Sequence, residues 1–155
     1  MKDYLKDYAT TAFRFYARNG KDAVEYKKKI HDDAIATIKR REIQTKGLGG
    51  SPTEAMVIEA ENMLSFKIAE IKDMEAVEAT IRRLESMRFS QGRAIIQAIE
   101  IVYFKNPYKE LVKGQLTERV SIAVDNIPAS ESFIYRGLRK ARDIFAIERG
   151  LRIEK

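Results

Sequence analysis

The chain has 155 residues, with 29 Lys+Arg against 23 Asp+Glu, a formal net charge of +6 and a pI near 9.5. It contains no cysteine, which excludes a disulfide framework, a thiol nucleophile and thiolate-bound zinc. One histidine, His31, is too few for a histidine zinc cluster or most triad chemistry, and three prolines with eight glycines leave few turns for an all-β fold.

Charge is unevenly distributed. Residues 1–50 carry a net +5, residues 51–89 a net −3 and residues 90–155 a net +4. Two basic ends therefore flank an acidic middle, and a pI above about 9 favours a nucleic-acid partner. The opening residues have no apolar signal core, and no apolar run approaches the ~18 residues of a membrane span, so a cytoplasmic location without membrane association is expected. Hydrophobic residues at 45% suffice for a core.

In chain order, Asp3 to Arg18 reads as a helix rich in Tyr and Phe, ended by Asn19-Gly20. A second helix fits Asp22 to about Gln44, with Ala23, Tyr26, Ile30, Ala34 and Ile38 three or four residues apart and the clusters Lys27-Lys28-Lys29 and Lys39-Arg40-Arg41 facing solvent. The stretch GLGGSPTE is a turn in which Ser51 caps the next helix, Pro52 takes its first position and Glu54 closes a capping box. It lacks the Gly-Lys-Ser/Thr of a phosphate-binding loop. From Pro52 to about Met87 apolar residues recur every three or four positions without Pro or Gly, which predicts one long helix, either packed within the chain or forming a homodimer. A helix from about Ser90 ends at Asn106-Pro107, and two shorter helices follow at 116–126 and 130–149, with Gly150 as terminator.

The segment 116–142 carries the chemistry. It reads as a short helix, a turn of about four residues and a basic second helix, the layout of a helix-turn-helix whose second helix enters the major groove. Ile134, Leu138, Ala141 and Phe145 form an apolar stripe expected to pack on Val120, Ala123, Val124 and Ile127. The opposite face then presents Glu131, Ser132, Tyr135, Arg136, Arg139 and Lys140, with Phe133 at its margin and Arg142 further along. Ser130 caps the helix where its positive end would meet a phosphate. Arginine reads guanine bidentately, and serine donates to base edges or phosphates. These nine residues, Ser130 through Arg142, are the candidate DNA-binding set.

The sequence NIPASESFIYRGLRKARDIFAIERGL resembles the C-terminal segment of the ArpU/RinA-type phage late-gene transcriptional regulators, itself similar to region 4 of sigma factors. The resemblance rests on Ile127, Ser130, Tyr135, Arg136, the run Arg139-Lys140-Ala141-Arg142, and Glu148-Arg149-Gly150-Leu151, with Val102-Tyr103-Phe104 as the aromatic end of the preceding helix. It covers roughly 90–151; over 1–89 it is organisational only. Pro128, Val124 and Gly137 depart from the pattern, the last at a helix-propensity cost of about 1 kcal/mol relative to Ala.

The expectation is an all-α protein with an interaction region at 1–89 and a DNA-binding domain at 90–155. It needs no cofactor and binds double-stranded DNA, and the N-terminal helices are left for oligomerisation, with a homodimer through the long helix at 52–87 as one option, or for contact with host RNA polymerase. No metal-ligand pattern or triad supports an enzyme. Two alternatives stay open: a small terminase subunit recognising packaging DNA, and a helical structural adaptor with no nucleic-acid role.

Overall fold

The computed structural model describes residues 3–46, 54–87 and 90–151, with only the backbone described for 42–46. Among these residues the fold is all-α, as expected: α1 (Tyr4–Arg18), α2 (Ala23–Lys46), α3 (Glu54–Ser65), α4 (Ile68–Glu85), α5 (Gln91–Ile99) running directly into a π-helical turn (Glu100–Phe104), α6 (Lys113–Asn126) and α7 (Glu131–Arg149). The expected turn at 47–53, including the Ser51 cap and Pro52, lies outside the described residues.

Helix ends follow local chemistry. Asp3 caps α1 by accepting the Lys6 amide at 3.0 Å, and the Asp22 carboxylate accepts from the Glu25 amide at 3.0 Å at the start of α2. At the other end of α1, Asn19 closes the helix, and Gly20 and Lys21 take left-handed φ values of 89° and 56°.

The chain forms two compact units, one from residues 1–21 and 73–155, the other from 22–72. In the first unit α1 packs on α7 and on the π-helical turn, and α5, α6 and α7 pack on one another. Its centre is aromatic. Phe13 stacks on Tyr103 with ring centroids 5.5 Å apart and leans on Phe145 at 5.7 Å. Met74, Val77, Thr80 and Leu84 form the buried stripe of α4, where the Thr80 hydroxyl donates to the Ala76 carbonyl. Asp73 ties three helices together, accepting from the Tyr8 hydroxyl of α1 and from Nε of Arg149 of α7, each at 2.7 Å.

The second unit is a helical hairpin. Ala34 and Ile38 of α2 pack with Met56 and Ala60 of α3, flanked by Ile35 and Met63. Tyr26 of α2 donates its hydroxyl to Glu70 of α4, and Arg41 pairs with Glu59 at 3.1 Å.

The single helix expected over 52–87 is corrected to two. It breaks at Phe66-Lys67 without Pro or Gly. There the Ser65 hydroxyl donates to the Asn62 carbonyl at 2.6 Å, and the Lys67 amide bonds to Leu64 three residues back instead of four. Ser and Asn side chains compete with the backbone in this way, which periodicity does not register. The apolar spacing is therefore carried by two separate helices, α3 and α4. α6 also starts at Lys113, earlier than expected.

The helix from Ser90 ends before Asn106-Pro107 as expected, but its last five residues widen: the Lys105 amide reaches the Glu100 carbonyl at 3.0 Å, five residues back. Gly92 lets α5 approach α4, since a Cβ there would lie 1.8 Å from the backbone oxygen of Leu84. Helix propensity alone would make Gly92→Ala stabilising by up to about 1 kcal/mol. The expected outcome is instead a loss of more than about 2 kcal/mol in urea denaturation, because backbone must move.

Candidate nucleic-acid interface

α7 is fixed at both ends by its own sequence. The Ser130 hydroxyl accepts the Phe133 amide at 3.1 Å. At the far end Gly150 (φ 78°) and Leu151 return their amides to the carbonyls of the last turn. The connection from α6 is short. The Ile127 amide still bonds to Ala123 at 2.8 Å, the Ala129 amide bonds to Ile127 at 2.7 Å, and Pro128 is exposed. A proline fits there because no amide donor is required of it.

The inner stripe is as expected. Ile134, Leu138, Ala141 and Phe145 are buried, as are Val120 and Ala123 of α6 and Ile127 just after it, while Val124 is half-buried. Gly137 has a packing reason: it is buried, and a Cβ there would come within 2.9 Å of Ile95 Cγ1 on α5. Gly137 thus sets a close approach between α5 and α7.

The outer face carries Glu131, Ser132, Tyr135, Arg136, Arg139 and Lys140, all exposed, with Phe133 half-buried at the margin. Arg136 bonds weakly to the Ser132 carbonyl at 3.4 Å. Among the described residues no carboxylate pairs with Arg136, Arg139 or Lys140, and all three residues are exposed. Arg142 is placed differently. It is half-buried, and its Nη1 donates to the Tyr103 hydroxyl at 2.9 Å, so it braces α7 against the π-helical turn. Three cations, Arg136, Arg139 and Lys140, therefore share the outer face with two exposed carboxylates, Glu131 and Asp143.

Two arginines that carry structure were not singled out from the sequence. Arg119 of α6 is 9% exposed and donates to the carbonyls of Val102 (2.9 Å), Lys105 (2.6 Å) and Asn106 (3.1 Å), satisfying the end of the π-helical turn. Arg14 of α1 is 6% exposed and donates to Pro107 (3.1 Å) and to Lys109. Arg119 has a sequence signal, since it lies three residues after Leu116 and four before Ala123, at core spacing.

No group of three His, Asp or Glu residues that could hold a metal ion occurs among the described residues, and no described helix is long and apolar enough to cross a membrane. No family model, curated protein or solved structure matches the chain.

The two classes of arginine on α7 should separate in stability measurements. Arg142→Ala is expected to cost about 1–2 kcal/mol through its lost hydrogen bond. Arg136→Ala and Arg139→Ala should each stay within about 0.5 kcal/mol of wild type.

Proposed function

We propose that this chain is a phage or prophage DNA-binding transcriptional regulator that reads duplex DNA with the outer face of α7. The observation that carries this reading is the set Arg136, Arg139 and Lys140, exposed and without carboxylate partners on a capped helix whose opposite face is buried. A guanidinium left free on a rigid helix keeps its fork available for the two acceptors on a guanine edge. Ser132 and Tyr135 supply hydroxyls for phosphates or base edges, and the Ser130 end of the helix favours an anion. Glu131, at the same end, disfavours phosphate beside it and suits a cytosine amino group.

Most affinity would come from phosphate neutralisation and would fall steeply with salt. The exposed triplet Lys27-Lys28-Lys29 would add a sequence-independent share. Contact with host RNA polymerase and self-association would fall to the second unit, which exposes Val57, Ile58, Phe66 and Ile68 around its small core. The resemblance to ArpU/RinA-type regulators supports the same reading and implies work in the bacterial cytoplasm.

Selection of duplexes from a random pool at two salt concentrations supplies the binding site for the test. Arg136→Ala and Arg139→Ala should each weaken binding to the selected duplex by roughly tenfold or more and relax preference at one position. Lys28→Ala should weaken all duplexes alike and by less. Wild-type affinity in both arginine variants would refute the assignment.

A further inference from the structure

The turn that follows the π-helical segment gathers positive charge that α7 does not use. Arg14 and Arg18 of α1 both donate to the Pro107 carbonyl, at 3.1 and 3.5 Å, and Arg119 approaches the same turn through Val102, Lys105 and Asn106. All of these acceptors are neutral carbonyls. Among the described residues no carboxylate pairs with Arg14, Arg18 or Arg119, and Nη1 of Arg14 is buried without any hydrogen-bond partner. Burial, followed by the charges of Arg119 and Arg18, pulls the Arg14 guanidinium below its ordinary pKa. A buried guanidinium in that position is expensive unless an anion lies close by.

An open cleft of about 520 Å³ lies along this turn, and Arg14 forms part of its wall. Four cations line it (Lys6, Arg14, Arg18 and Lys109) against two carboxylates, Asp7 and Glu110. Arg119, outside the cleft wall, adds a further positive charge that acts on Arg14. Thr10 and Thr11 of α1 line the same cleft. The Tyr108 hydroxyl donates to the Arg18 carbonyl at 3.3 Å, holding the turn against the end of α1. Donors thus come from two separated stretches of chain, which suits an anion with several acceptor oxygens better than a flat carboxylate.

We propose that this cleft binds a phosphate group, held by Arg18 and Lys109 in the field of the buried Arg14. The group belongs either to a DNA strand or to a small phosphorylated compound, and the two sources share this chemistry. Arg14 braces the turn, so its removal risks the fold. The double variant Arg18→Gln/Lys109→Gln tests the site and leaves Arg14 in place.

Thermal denaturation is compared in sodium phosphate and in sodium chloride of equal ionic strength. Wild type should melt about 3 °C higher in phosphate, and the double variant should lose most of that difference. Equal melting in the two salts for wild type, or an undiminished rise in the double variant, would overturn the proposal. Given the rise, a short duplex identifies the source. If the double variant binds DNA with a salt slope shallower by about one, the site takes a strand phosphate. If its DNA binding is unchanged, the site takes a free phosphate compound. Arg136→Ala/Arg139→Ala should keep the full phosphate effect, so failure of the α7 reading and failure of this one are distinguishable.

Discussion

Tyr103 is the side chain on which the larger unit depends. Its ring is 2% exposed and stacks on Phe13, which in turn leans on Phe145 of α7, so three elements far apart in sequence share one aromatic contact. Its hydroxyl accepts from Arg142 and thereby ties α7 a second time. The residue sits on a π-helical turn, where one extra residue per bond rotates the ring relative to a continuous α-helix. That turn is held by Arg119, which occupies carbonyls that no helical amide reaches. Aromatic packing and carbonyl capping are therefore one arrangement.

The character of α7 follows from this constraint. A helix anchored along Ile134, Leu138, Ala141 and Phe145 has one rotation about its axis, which turns Arg136, Arg139 and Lys140 to solvent. Gly137 brings it against Ile95, and the Asp73–Arg149 pair, with both side chains 17% exposed, fixes its far end. Rigid placement matters for groove reading, because a bidentate contact tolerates little error in position. Two surfaces of positive charge emerge within the same unit, one solvent-facing on α7 and one recessed beside the 105–110 turn.

Much of this was legible in the sequence because it depends on local rules. The Ser130 cap, the Gly150 stop and the apolar stripe of α7 are set within a few residues and occur where their patterns predict. Four features were not legible, one for a local reason and three for tertiary ones. The break at Phe66-Lys67 rests on side-chain bonds from Ser65 that an apolar period of three and four does not encode. The π-helical turn exists with Arg119 in place, from a helix that begins nine residues after the turn ends. Arg142 reads as a surface cation by type and spacing, and is turned inward by a tyrosine hydroxyl 39 residues earlier. Gly137, which reads as a propensity defect, is explained by the approach of α5.

Mapping by NMR tests most directly whether the outer face of α7 is the surface that meets DNA. Duplex DNA carrying the selected site is titrated into the labelled protein while amide and arginine side-chain signals are followed. Perturbations should concentrate on Ser130 to Lys140, with the Arg136 and Arg139 guanidinium signals moving most, and Arg142 should keep the signature of its bond to Tyr103. Perturbations confined to the lysines of α2, or none at all under conditions where the duplex binds, would contradict the account.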